Sequence, residues 1–159
     1  MSNSNESKKL ESIDYDILRI LSEDSRKSFR EIGRELDKSP TTIAKHIDEL
    51  IEKKIIKNFC IDIDYEKMGY DFIALIELTI SKGKMLEVEK DIANNPNIFG
   101  VYDVTGEYDA FILARFKTRS EVSKLVKEIN SYDYVVRTNT HLILNIVKEG
   151  TSFSDLVKF

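Results

Sequence analysis

Two stretches of this chain place residue types at spacings that could do chemistry. The first is Ser39-Pro40-Thr41-Thr42-Ile43-Ala44-Lys45-His46, where a capping serine followed by proline at the first helical position opens a helix. In a helix-turn-helix unit the first turns of such a helix enter the major groove of DNA. The hydroxyls of Ser39, Thr41 and Thr42 could meet phosphates or base edges there, and Lys45 a guanine edge or a phosphate. His46 is expected to touch phosphate or solvent. Arg26, Lys27, Arg30 and Arg34, upstream, are expected to grip the backbone beside the groove. Residues 26–57 hold nine basic side chains against six acidic ones, a local excess of three. The other reading of the same residues is a three-helix domain used for protein contacts, with ordinary solvated charges, because helix-turn-helix folds are widely reused.

The second stretch is the turn Gly106-Glu107-Tyr108-Asp109. A carboxylate beside a glycine in a tight turn could hold the ammonium group of a small ligand and leave backbone N–H groups for its carboxylate. Equally, Gly and Asp stand in hairpin turns for backbone reasons alone. Catalysis finds little support. Neither His46 nor His141 has a nucleophile or carboxylate at a recognisable spacing. The single cysteine, Cys60, excludes an intramolecular disulfide and a multi-cysteine metal site, and two histidines make a His-rich centre unexpected. No metal, cofactor or enzyme activity is expected.

These residues must be positioned by a chain of 159 residues, 42% hydrophobic, carrying 24 Lys+Arg against 28 Asp+Glu for a net charge of −4. An acidic balance excludes a globally basic binder, so any nucleic-acid surface is a local patch. No apolar run is long enough for a membrane span, and the polar N-terminus lacks a signal-peptide core; a cytoplasmic protein is expected. Residues 1–9 read as a disordered lead-in. Ile13, Ile17, Ile20 and Leu21 form a helical stripe, Ser28-Phe-Arg-Glu31 is a capping box with Ile32, Gly33 and Leu36 inward, and Ile43, Ile47, Leu50 and Ile51 form the inner face of a third helix. Gly33 is small enough for a close helix crossing. From Ile55 to Tyr65 the period becomes two, with Lys57, Phe59, Ile61, Ile63 and Tyr65 on one face, which predicts a linker strand.

The remainder predicts strand 72–80, helix 84–94, strands 98–105 and 108–116, a helix opened by the capping box Thr118-Arg-Ser-Glu121, and a long strand 135–147. Strand-helix-strand-strand-helix-strand is the split βαβ order of a ferredoxin-like fold. The chain is thus expected to be α+β: a helix-turn-helix domain at 10–54, a linker strand at 55–69, a ferredoxin-like βαββαβ domain at 70–148 and a C-terminal tail at 149–159.

The stretches Ile13–Leu21, Ser28–Leu36, Ser39–Ile43, Leu50–Ile56, Met68-Gly69 and Val104-Thr-Gly-Glu-Tyr-Asp109 follow in the order of the leucine-responsive regulatory protein/asparagine regulator (Lrp/AsnC, feast/famine) family, which the chain resembles over about residues 12–148. The resemblance implies a transcription regulator that binds double-stranded DNA as a homodimer, its ferredoxin-like halves paired sheet to sheet and often assembled further into tetramers or octamers. It implies an effector-sensing second half, usually for an amino acid. It places Thr41, Thr42, Lys45 and His46 on the recognition helix. It places Thr105, Gly106, Glu107, Tyr108 and Asp109, with Thr138 and Thr140 of the last strand, at an effector pocket between dimers. There Asp109 would pair with an α-ammonium and hydroxyls with a carboxylate.

The chain departs from that pattern at Asp48 and Glu49, where basic residues are usual, at His46, where arginine is common, and at Lys54, where glycine usually ends the helix. Asp48 and Glu49 motivate a second reading, a small-molecule sensor or assembly module with little DNA binding. A third is an enzyme, since some tetrapyrrole-decarboxylating proteins look similar to this architecture; only Arg137 and His141 of the last strand could serve it.

Overall fold

The structure, a computed structural model, describes residues 10–81, 90–149 and Phe153. The chain divides into two compact units, Met1–Asp62 with Glu149–Phe159, and Ile63–Lys148. Among the described residues no helix is long and apolar enough to cross a membrane. The expected lead-in, residues 1–9, and most of the helix expected at 84–94 lie outside the described residues; residues 90–93 are helical and end before Asn95-Pro96.

The first unit is built from α1 (Ser12–Glu23), α2 (Phe29–Leu36) and α3 (Pro40–Glu52). The starts of α2 and α3 have local causes. In α2 the Ser28 hydroxyl accepts the Glu31 N–H at 3.3 Å and the Glu31 carboxylate accepts the Ser28 N–H at 2.8 Å, satisfying two end donors at once. In α3 the Ser39 hydroxyl accepts the Thr42 N–H at 3.1 Å, and Pro40 stands where a missing N–H costs nothing. The three helices close over Ile17, Ile20, Ile32, Ile43, Ile47 and Leu50, each at most 2% exposed. Burying each such side chain contributes roughly 1.5–3 kcal/mol before chain entropy is counted. Ile51, expected inward, is 43% exposed, because the 3.6-residue period carries it past the seam that Ile43, Ile47 and Leu50 occupy.

Gly33 is buried for a reason other than a helix crossing. A Cβ there would stand 2.6 Å from the carbonyl oxygen of Lys38 in the α2–α3 turn, whose N–H donates to the Gly33 carbonyl at 2.8 Å. The obstacle is backbone, so Gly33→Ala has to open the turn. It is expected to destabilise the first unit by about 1–3 kcal/mol, as overpacking does. A thermal unfolding transition unchanged from wild type would show instead that the turn relaxes freely.

The expected linker strand is not formed. Residues 57–64 have no strand assignment, and a single 3-10 turn, Glu66–Met68, follows. Alternation makes a strand only when a neighbouring backbone supplies the ladder, and no described strand pairs with this stretch. Phe59, Ile61 and Tyr65 stay 53%, 77% and 38% exposed. After α3, Lys54 takes the left-handed conformation (φ 56°) that favours glycine, and the Ile55 N–H returns to the Leu50 carbonyl at 2.9 Å.

The second unit is a four-stranded antiparallel sheet of β1 (Phe72–Ile80), β2 (Ile98–Asp103), β3 (Ala110–Phe116) and β4 (Val135–Ile143), in the order β2-β3-β1-β4, with α4 (Arg119–Asn130) between the last two strands in sequence. This is the ferredoxin-like order. The central strands alternate strictly: Ala74, Ile76, Leu78 and Ile80 of β1 and Ala110, Ile112, Ala114 and Phe116 of β3 point to the buried side. There they meet Val122, Leu125 and Ile129 of α4, and Ile92. The opposite face carries half-buried Ile73, Leu75, Phe111 and Leu113. Strand β4 is shorter than the expected 135–147. It ends at Ile143, opposite Ile73 and one residue short of the end of its partner β1, and Leu144 and Val147 beyond it are 89% and 98% exposed.

Candidate nucleic-acid interface and ligand turn

In the first unit α3 presents Thr41 and Lys45 to solvent, and α2 presents Arg30 and Arg34 one helical turn apart. The Lys45 side chain is 77% exposed, with Glu49 at 3.9 Å; Glu49 also lies 3.5 Å from Lys53. Exposed pairs of this kind are worth little and are readily exchanged for a phosphate. Ser39 and Thr42 are engaged with each other, hydroxyl to hydroxyl at 2.8 Å, as part of the α3 cap. Their contribution is a rigid helix start whose uncapped N–H groups favour an anion.

Arg26 and Lys27 already have partners. The Arg26 guanidinium lies 3.3 Å from Asp24, whose carboxyl is held below its usual range first by the Arg26 N–H and then by the guanidinium. The Lys27 ammonium is 2.6 Å from Glu35, which pushes its pKa up.

His46 faces inward rather than along the Lys45 side of α3. Its Nδ1 is 2.7 Å from Asp14 Oδ1, and its side chain is 17% exposed. The other Asp14 oxygen accepts the Glu11 N–H at 2.8 Å, so this buried carboxylate on α1 has a donor on each side. The pair ties α3 to α1. Sequence reasoning missed Asp14, although a carboxylate within the apolar stripe Ile13–Ile17–Ile20 is the signal that a buried donor must meet it.

In the second unit the turn residues Thr105, Gly106 and Glu107 are exposed, and Gly106 has φ 134°. Asp109 closes the turn. Its C=O accepts the Val104 N–H at 3.0 Å, its N–H donates to the Leu78 carbonyl at 2.8 Å, and its carboxylate accepts the Ile80 N–H at 2.7 Å. It thus finishes the end of β1, where the β1–β4 register shifts between Thr79 and Ile80.

Glu107 meets Arg137 of β4 at 2.9 Å, and that guanidinium lies over the Tyr108 ring, 5.1 Å from its centre. Thr138 and Thr140 do not join this group. They stand opposite Leu78 and Ile76, on the helix-covered face, and Thr138 bonds to Asn130 of α4 at 3.0 Å. The open face instead receives Arg137, Asn139 and His141, opposite Thr79, Glu77 and Leu75.

Glu77 is the centre of that second group. Asn139 donates to its Oε2 at 2.7 Å and His141 Nε2 lies at 3.2 Å. Its carboxyl is held below the ordinary glutamate range, first by Asn139, then by His141 and the Tyr108 hydroxyl. A lowered carboxyl pKa contributes stability above the unfolded-state value and loses it as pH falls through the folded-state value. The second unit is therefore expected to weaken on acidification in that window, and Glu77→Gln to flatten the dependence in urea titrations. An unchanged acid slope in Glu77→Gln would contradict the assignment. Among the described residues no group of three or more His, Cys, Asp or Glu is arranged to hold a metal ion.

Comparison with known proteins joins the two units into one class. Residues 10–57 match a winged helix-turn-helix DNA-binding model, and residues 73–153 match the Lrp/AsnC ligand-binding domain. An uncharacterised HTH-type transcriptional regulator of Pyrococcus abyssi is 41% identical over 140 residues, 88% of this chain and 95% of its own. Among solved structures, B. subtilis LrpC aligns over 89% of this chain and 99% of its own at a TM-score of 0.79 and 26% identity. A Neisseria meningitidis transcriptional regulator in complex with L-Met aligns over 94% and 100% at 0.83 and 22%, a likeness of fold. The protein is a helix-turn-helix transcriptional regulator, not an enzyme. It belongs to the Lrp/AsnC family.

Proposed function

We propose that this regulator reads specific double-stranded DNA through α3 and α2 and that an amino acid or similar small ligand modulates its DNA affinity or its assembly. The observation that carries the DNA half is the capped, rigid start of α3 with exposed Lys45 and Thr41 beside the exposed Arg30 and Arg34 of α2. Arg26 and Lys27 join the interface by exchanging Asp24 and Glu35 for phosphate, Ser39 and Thr42 contribute through the helix start, and His46 supports α3 from behind. The position of Glu49, within 4 Å of both Lys45 and Lys53, weighs against the reading as a module with little DNA binding, because two cations offset its repulsion of phosphate.

The ligand half rests on the polar turn at the end of the sheet, Thr105–Asp109, backed by Arg137. The L-Met bound to the Neisseria regulator supports an amino acid as the class of ligand. Thr138 and Thr140 take part only if α4 yields the Thr138–Asn130 bond. The half-buried apolar face of the sheet supports a homodimer paired sheet to sheet, and further assembly into tetramers or octamers is part of the same proposal, as is a cytoplasmic location.

The test is a fluorescence-anisotropy titration against DNA from upstream of the protein's own gene and a scrambled duplex, at two salt concentrations, repeated with amino acids added one at a time. Preferential binding to the upstream DNA that survives the higher salt, shifted by one amino acid, is expected. Equal and salt-abolished binding to both duplexes would favour the module without useful DNA binding.

A further inference from the structure

The first unit holds a groove of about 730 Å³ that neither α3 nor the ligand turn lines. Leu18 and Leu21 of α1, Ile55, Phe59 and Ile61 of the stretch after α3, and Phe153 are among the apolar residues that line it, with Arg26 among the polar ones. Phe153 comes from the far end of the chain, past β4, and Glu149–Phe159 groups with the first unit although β4 belongs to the second.

From these observations we infer that the C-terminal segment, residues 149–159, is the occupant of this groove and acts as a strap on the DNA-binding unit. Three observations select that occupant. Phe153 already stands in the groove, half-buried, in a helical conformation. The sequence beyond it, Phe153-Ser-Asp-Leu156-Val157, repeats apolar residues at i, i+3 and i+4, the spacing of one helix face. The groove's outer wall also leaves Ile55, Phe59 and Ile61 at 40%, 53% and 77% exposure, apolar surface that gains from being covered.

A segment anchored there has a mechanical consequence. Residues 55–62 lack any strand partner among the described residues; the N–H groups of Ile55 and Ile56 return to the Leu50 carbonyl, and Phe59 and Ile61 share the groove lining with Phe153. The C-terminal segment follows β4, which carries Arg137 of the proposed ligand turn, after the intervening residues 144–148. The strap therefore gives the chain after β4 a hold on α1, the helix that His46 and Asp14 tie to α3.

The chain contains no tryptophan, so Phe153→Trp in the full-length protein makes a single reporter. Its emission is expected to be blue-shifted, and acrylamide quenching several-fold weaker than for a free indole, with neither changing on dilution. Phe59→Asp and Ile61→Asp, added separately, should red-shift the emission and restore quenching. Both replaced side chains are exposed, and the unfolding midpoint reports whether the unit stays folded. Solvent-like emission from the Phe153→Trp variant without further substitutions would overturn the proposal. Protection that both aspartates leave unchanged would also overturn it, because the indole would then be buried elsewhere. Protection lost on dilution would assign the groove to a second copy's segment and overturn the strap within one chain.

Discussion

The Arg30→Ala/Arg34→Ala/Lys45→Ala variant is expected to bind its DNA site about 100-fold more weakly than wild type at moderate salt, with a log–log salt slope shallower by about 3. Each of these cations is exposed, on the first turns of α2 and α3 or one turn beyond. Each removed phosphate contact releases close to one counterion fewer, and the three losses multiply. Folding should be unaffected, since exposed substitutions away from caps and cores shift stability by no more than about 0.5 kcal/mol. The partner of Lys45, Glu49 at 3.9 Å, is too loosely held to change that. The double variant Arg26→Ala/Lys27→Ala is expected to lose less, because those cations must first leave Asp24 and Glu35. Anisotropy titrations at several salt concentrations read both quantities. An unchanged slope in the triple variant would move the DNA interface off this surface.

The second large effect is in the other unit. Phe116→Ala is expected to destabilise the ferredoxin-like half by about 3–5 kcal/mol, the transfer loss plus the cavity left behind. Phe116 is 1% exposed at the end of β3, opposite Phe72 of β1 and within the cluster that includes α4. Against a domain stability of roughly 5–15 kcal/mol, this brings the unit close to its unfolding threshold. The helix-turn-helix core, a separate cluster around Ile17, Ile43 and Leu50, shares no residue with it. Urea unfolding should therefore show one transition moving and the other staying in place. If both transitions shifted together, the two units would be one cooperative fold.

How much of this is legible in the sequence differs from element to element. The starts of α2, α3 and α4 are, because Ser28…Glu31, Ser39-Pro40 and Thr118…Glu121 satisfy helix-end N–H groups from within four residues. The alternation of β1 and β3 is as well, since one buried face imposes a period of two. The expected linker strand and the expected end of β4 fail for one shared reason: a strand extends only as far as a neighbouring backbone pairs with it, and that neighbour is absent from the local pattern.

The candidate sites show the same division. Lys45, Arg30, Arg34 and the turn at Gly106 follow from local spacing, and their exposure agrees with it. The inward turn of His46 depends on Asp14, 32 residues away, and the Glu77–Asn139–His141 group on partners 62 and 64 residues apart. The separation of Thr138 and Thr140 from Glu107 and Tyr108 depends on the β1–β4 register. The sequence alone thus determined the helix-turn-helix and the ferredoxin-like order, because caps, periodicity and turns act over a few residues, while the regulator class followed from the chain's resemblance to the Lrp/AsnC family. Tertiary structure alone decided which polar side chains remain available to DNA or ligand, because that depends on which buried partner each one finds across the fold.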